Sequence, residues 1–347
     1  MSLHRALWLA APLAMTQPAA AQDFGADCTP PDLAALAGWG GVWSAEHSDA
    51  AAQGLSGRQG GASAPLLGMG APWNQAGRER MAAMFQWITQ QGVETPGWGF
   101  PMMMYSYSEF TFVVAPASTA MINQYSEVRQ IYTDGRGHLD EDVRWPTTWG
   151  DSVGCWQGDT LVIDTVSARY DPHYNPYAPP LSDNARFTER LRLIEPGRMQ
   201  YNITVTDPDL LTEPWSLELY YVDAGIDRVV LDAFVDRNDS VNGTISGVPA
   251  GLVPVSLPPI VAMSEAELDR FVGTYQLADM PGVMQVVRQG DRLLFAMPPG
   301  QPDLASLYPE SPTHFASLTG VALDFAVVAD GRATGFTGTL SGTRIAD

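Results

Sequence analysis

A glutamate on the apolar side of a strand pattern is the residue of greatest chemical interest. From Ala185 to Ile194 the chain alternates with a period of two. Ala185, Phe187, Leu191 and Leu193 fall on one side together with Glu189, and Arg186, Thr188, Arg190 and Arg192 fall on the other. A carboxylate aimed into an apolar interior is costly unless paired, and burial raises its pKa. Such a group can serve as a general acid or base. It can equally be a structural carboxylate paired with a buried Arg or Tyr. A second candidate is His138, in the turn that runs Asp134, Gly135, Arg136, Gly137, His138. Turns at a barrel mouth project binding groups, and His changes protonation most readily near neutral pH. Asp134 reads as the turn-forming residue. Asp164, in the apolar run Thr160–Val166, is a possible second carboxylate for proton transfer.

Other motifs carry less chemistry. Gly150-Asp151-Ser152-Val153-Gly154 fits the G-x-S-x-G nucleophile elbow, but that motif needs a strand before it and a helix after it. A hairpin pattern follows instead, so Ser152 reads as an ordinary serine beside a strand. Asp140, Glu141 and Asp142 lack EF-hand spacing and read as a solvated loop, with weak calcium binding as the alternative. His47 and His173 have no partner at metal-ligand spacing, so no metal site is expected. Trp145, Trp149, Tyr170, Tyr174 and Tyr177 crowd two loops. They could stack on sugars or aromatic ligands, or simply cover the open end of a barrel.

These groups need elements to hold them. Asn74 can cap a helix in which Met81, Met84, Phe85 and Ile88 share one face, with Gly92 at its end. From Glu109 the period changes to two, and strands are expected at 110–114, 121–126, 128–133, 153–157, 160–166, 185–194, 199–206, 217–222 and 228–235. Gly158-Asp159 and Pro196-Gly197 are turn signals between them. Consecutive hairpins without helical crossovers predict an antiparallel meander closed into a barrel. Residues 22 to about 72 read as irregular, with one strand near Val42. The Pro- and Gly-rich stretch from Gly247 to about residue 262 reads as a linker between domain 22–246 and domain 263–347. Ser264 and Glu267 form a capping box at the start of the second domain, where a short helix buries Leu268 and Phe271. The fold class expected is mainly β, a barrel with an N-terminal helix followed by a second, smaller β domain.

The middle of the chain resembles a family of exported bacterial proteins of uncharacterised function. The residues that carry the resemblance are Ile131 to His138, then Pro146 to Gly154, then Trp156 to Thr165, with Glu189-Arg190, Asp207-Pro208 and Pro214-Trp215 beyond them. The resemblance spans residues 100 to 220 and implies a lipocalin-like β-barrel with a cavity. The chain departs from the pattern at Gln157, Cys155 and Glu213, where Glu, His or Arg, and a basic residue are expected. Any role tied to those three positions does not carry over. The tail from Leu268 is similar to the small β domain appended to serine β-lactamase-like proteins, whose catalytic lysine has no counterpart here.

Composition sets limits on all of this. The net charge of −20 repels nucleic acid and anionic lipid, so neither is expected as a partner. All 19 basic residues are Arg. Without a lysine there is no Schiff base, no Walker A lysine and no Ser-x-x-Lys pair. Arg5, the short apolar run Ala6–Met15 and the small residues Ala19-Ala20-Ala21 read as a secretory leader cleaved before Gln22. The expected location is the periplasm or the outside, with no membrane insertion. There, Cys28 and Cys155 can form a disulfide or remain two separate thiols. The sequence sets no oligomeric state and implies no cofactor, and its expected partner is a small molecule. The leading expectation is acid/base chemistry in a barrel cavity, as in a lyase, hydratase, isomerase or glycoside-cleaving enzyme. Glu189, His138 and Asp164 would be its catalytic groups, and Arg136, Tyr132, Trp149 and Tyr174 its binding groups. The alternative is non-catalytic binding of a small, partly apolar or sugar-like ligand.

Overall fold

Period-two runs become strands, and turn residues set where they reverse. The structure is a computed structural model that describes residues 28–46, 68–91, 97–105, 108–229, 231, 240–241, 244–245, 248–249, 252–278, 281–296, 305–328 and 331–346. The expected leader, residues 1–21, lies outside the described residues, as do His47 and Gly92. The first barrel has nine strands: β1 (Trp43–Ala45), β2 (Phe110–Ala115), β3 (Ser118–Asn123), β4 (Val128–Tyr132), β5 (Asp151–Gln157), β6 (Thr160–Val166), β7 (Arg186–Glu195), β8 (Arg198–Thr206) and β9 (Trp215–Asp223). Gly158, with φ of 65°, and Gly197, with φ of 77°, take the left-handed backbone that the β5–β6 and β7–β8 turns require. Closure comes from β1, which pairs with β2 at Trp43–Phe110 and with β9 through Ser44–Val222.

The meander is not antiparallel throughout. β4 and β5 run parallel, meeting at Tyr132–Val153, because the 133–150 connection carries the chain back before β5 begins. The strand expected at 121–126 runs instead over Ser118–Asn123, where Ala115 and Ser118 pair across a two-residue turn. The strand expected from Arg228 does not begin there: the backbone at 224–229 is irregular, and residues 230 and 232–235 lie outside the described residues.

The helix α1 spans Gln75–Gln91 and is capped by Asn74, whose Oδ1 accepts from Gly77 N at 2.9 Å. Met81 and Met84 are fully buried and Phe85 and Ile88 pack on the same core. Three short strands, β10 (Ser240–Val241), β11 (Thr244–Ile245) and β12 (Val248–Pro249), form a small sheet. The helix α2 (Glu265–Leu268) carries the full capping box of Ser264 and Glu267. The second domain is itself a closed barrel of eight strands: β13 (Gly273–Leu277), β14 (Val283–Gln289), β15 (Arg292–Ala296), β16 (Ala305–Pro309), β17 (His314–Ala316), β18 (Ala322–Val327), β19 (Ala333–Gly338) and β20 (Gly342–Ala346). Phe271, Tyr275, Phe315, Phe325 and Phe336 interlock edge to face at its centre.

Charged contacts tie the barrels together. Arg78 of α1 is buried, donates to Glu310 at 2.7 Å and to Pro258 O at 3.1 Å, and lies 4.6 Å from the Tyr308 ring centroid. Arg292 reaches Glu213 at 2.6 Å, which gives a contact to one of the three positions where the chain departs from the family pattern. The described part of the connection, residues 252–263, is strapped to α1: Gln75 donates to Leu257 O and Glu79 accepts from Leu257 N.

Cys28 and Cys155 form a disulfide on the outer face of β5, with Cα atoms 5.4 Å apart. The bridge pins the N-terminal segment, whose Thr29 also bonds Trp156, over the apolar surface formed by Val162 and Cys155. It closes a loop of 127 residues. Replacing both cysteines with Ser is expected to lower unfolding free energy by about 2–4 kcal/mol. Denaturant unfolding of the two proteins checks this; equal midpoints would show that the bridge constrains nothing.

Candidate functional site

Glu189 points into the first barrel, as the alternation requires, and is fully buried at 0% exposure. Its partner is Arg129 of β4, which donates to both carboxylate oxygens at 2.6 and 2.7 Å. Tyr201 OH donates to Glu189 Oε2 at 2.9 Å and Thr165 Oγ1 to Oε1 at 3.2 Å. Burial disfavours the charged form of Arg129, but Glu189 more than offsets it and the guanidinium pKa is raised. Burial, then the Glu189 charge, holds Tyr201 well above the ordinary phenol range.

A plug occupies the barrel interior around the Arg129–Glu189 pair. Residues 97–105 enter the barrel, and Met102, Met103 and Met104 are buried. The Phe100 ring centroid lies 4.0 Å from the Arg129 guanidinium carbon, and Met104 Sδ accepts from Arg129 at 3.2 Å. Tyr221 OH holds Met104 O at 2.8 Å. Glu127 fixes the start of the plug by accepting from Trp98 N at 2.7 Å, Gly99 N at 3.2 Å and Tyr174 OH at 3.2 Å. The backbone approaches so closely here that a Cβ on Gly97 would lie 2.6 Å from both Glu127 Oε1 and Tyr174 Cζ. Ser152 faces this same interior, and its hydroxyl is bonded to Thr165 at 2.8 Å and Arg129 at 3.3 Å, with no histidine bonded to it among the described residues.

His138 and Asp164 do meet, but on the opposite face of the sheet from Glu189. Asp164 pairs across β6 and β7 with Thr188, and Glu189 pairs with Ile163, so the two carboxylates point to opposite sides. His138 Nε2 lies 2.7 Å from Asp164 and Nδ1 lies 3.0 Å from Asp151. Arg186 grips Asp164 through two bonds of 2.7 Å. Both imidazole nitrogens are therefore engaged, and the cluster acts as a clasp that pins the 133–150 connection to the barrel wall. Burial works against the charged imidazole, but hydrogen bonds and charge from Asp151 and Asp164 outweigh it, so the His138 pKa lies above 6.5. Burial also opposes charge on the two aspartates, yet their bonds to His138, with Arg186 on Asp164, bring both below 3.8.

The remaining candidates split into two places. Arg136 is exposed, pairs with Asp134 at 2.6 Å and stacks on Tyr132 at 4.3 Å. Its hydrogen bonds lower Asp134 to about 2. Trp149 and Tyr174 meet edge to face at 6.3 Å, with Tyr174 also donating to Glu127 beside the plug. The four expected binding residues thus form two contacting pairs, Arg136 with Tyr132 and Trp149 with Tyr174. Sequence reasoning missed Arg129 and Glu127. Arg129 was detectable, since it shares the period-two face of β4 with the buried Ile131.

A cleft lies outside the barrel, between α1 and the loop after β6. Its volume is about 550 Å³, and Ala76, Arg80, Ala83, Arg169, Leu210 and Leu252 are among the residues that line it. No family model and no curated protein matches the chain.

The clasp makes stability depend on pH in a defined direction. A His whose folded pKa is raised stabilises the fold below its unfolded pKa, and that contribution is lost as pH rises through the folded value. The lowered aspartates contribute above their ordinary value of 3.8 and lose that contribution as pH falls. Melting temperature is therefore expected to fall as pH rises from about 6 to 9. In His138→Gln that alkaline decline should flatten. An identical decline in both proteins would remove His138 from the account.

Proposed function

We propose that the protein is an exported, non-catalytic binding protein for a small, partly apolar molecule, held in the cleft between α1 and the loop after β6. The observation that carries this reading is the cleft itself. At about 550 Å³ it falls in the size range of ligand pockets, and its walls combine apolar side chains with a few polar ones. Acid/base catalysis finds less support. Glu189 is consumed by Arg129, His138 is held at both nitrogens, and the two stand on opposite faces of one sheet. A proton-transfer group must reach its substrate, and a carboxylate with no exposed surface reaches none. Export is supported by the leader pattern at residues 1–21, and the Cys28–Cys155 bridge suits an oxidising compartment.

The test is native mass spectrometry of protein recovered from an exported fraction, beside Ala76→Trp. Ala76 is exposed on α1 at the cleft wall, so the indole should obstruct the cleft without disturbing the core. Wild type is expected to carry a small molecule that is released unchanged, and Ala76→Trp is expected to carry none. Conversion of the bound molecule over time, or equal occupancy in a folded Ala76→Trp protein, would contradict the proposal.

A further inference from the structure

The cleft contains a cation that the protein leaves unanswered. Carboxylates outnumber arginines 39 to 19 in this chain, so arginine is the scarce partner and most buried arginines are paired. On α1, Arg78 finds Glu310 at 2.7 Å. Arg80, two residues on, has no carboxylate within 4.0 Å among the described residues. Among the described residues it makes one hydrogen bond, a long one of 3.4 Å to Leu181 O, and its Nε, like those of Arg78, Arg129 and Arg292, is buried without an acceptor. Guanidinium cannot shed its proton in a protein, so Arg80 keeps its charge and its unused donors.

The other charges of the cleft sharpen the point. Arg169 enters from the opposite wall, half exposed and 3.7 Å from Asp171. The two carboxylates at the cleft keep their charge but are held by the protein: Glu79 accepts from Gln75 at 2.9 Å and from Leu257 N at 3.4 Å, and Asp171 accepts from His173 N at 2.9 Å and faces Arg169. Tyr170 OH donates to Pro176 O at 3.2 Å, and burial keeps it protonated. Beyond Arg80 the wall is apolar, with Ala83, Leu210 and Leu252.

Resting on the cleft reading above, we infer that the bound molecule is a small organic anion: a carboxylate on Arg80, facing Arg169, with an apolar body along Ala83, Leu210 and Leu252. Guanidinium and carboxylate match in a two-bond, charge-assisted geometry, and apolar walls shield the pair from water. The fixed positive end selects against neutral or cationic analogues of the same body.

Calorimetric titration of the full chain with octanoate and octanamide tests this. The two differ in head-group charge and share a tail. Octanoate is expected to bind wild type at least about tenfold more tightly than octanamide, the worth of a hydrogen bond to a charged group. Arg80→Gln should abolish the preference, Arg80→Lys should keep part of it, and Ala76→Trp should block both compounds. The wild-type comparison stands even if an Arg80 variant fails to fold. Equal binding of both compounds, blocked by Ala76→Trp, would overturn the anion assignment and leave the cleft reading intact. Binding of neither compound, or binding indifferent to Ala76→Trp, would overturn both.

Discussion

The structure of the first barrel depends on one buried ion pair, Arg129 with Glu189. Neither charge touches water, so each must be neutralised inside the barrel. The network around them draws one polar residue from each of five consecutive strands: Arg129 from β4, Ser152 from β5, Thr165 from β6, Glu189 from β7 and Tyr201 from β8. Side chains alternate across a strand, so a slip of one residue in any of these strands would turn its polar group outward and strand the others. The pair therefore fixes register across half the barrel. It also fixes the plug, since Phe100 stacks on the guanidinium and Met104 bonds to it.

That arrangement accounts for where function can reside. Plug and network occupy the interior around the pair, and a cleft lies outside the barrel between α1 and the loop after β6. The clasp of His138, Asp151, Asp164 and Arg186 holds the 133–150 connection in place. The straps from α1 to the second barrel, through Arg78 and Glu310, keep α1 and the inter-barrel connection fixed as walls of the cleft. The second barrel thus acts in part as a buttress for the cleft.

The inward position of Glu189 was legible in the sequence because it rests on a local rule, the period-two alternation with Phe187 and Leu191. The caps at Asn74 and Ser264 and the turns at Gly158 and Gly197 were legible for the same reason. The partner of Glu189 was not, because Arg129 lies 60 residues away and only barrel closure brings it near. Glu189, His138 and Asp164 were expected together; His138 and Asp164 meet, but on the opposite face from Glu189, since which face a strand residue takes relative to another strand depends on register. A strand was expected near Val42 in an otherwise irregular stretch, and β1 is that strand, three residues long; its closing role was not legible because it comes from pairing with β2 and β9. The cleft was illegible because its walls come from α1, two loops and the inter-barrel connection, with no shared motif.

The most direct test of the central claim is a double-mutant cycle on Arg129 and Glu189, read by denaturant unfolding. Removing one partner leaves an uncompensated buried charge, whereas replacing both with apolar residues of similar size does not. Glu189→Leu and Arg129→Met are each expected to lose about 3–5 kcal/mol, and the double variant is expected to recover most of that loss. Single variants as stable as wild type, or a double variant that loses the sum of both, would contradict the claim that this pair organises the barrel.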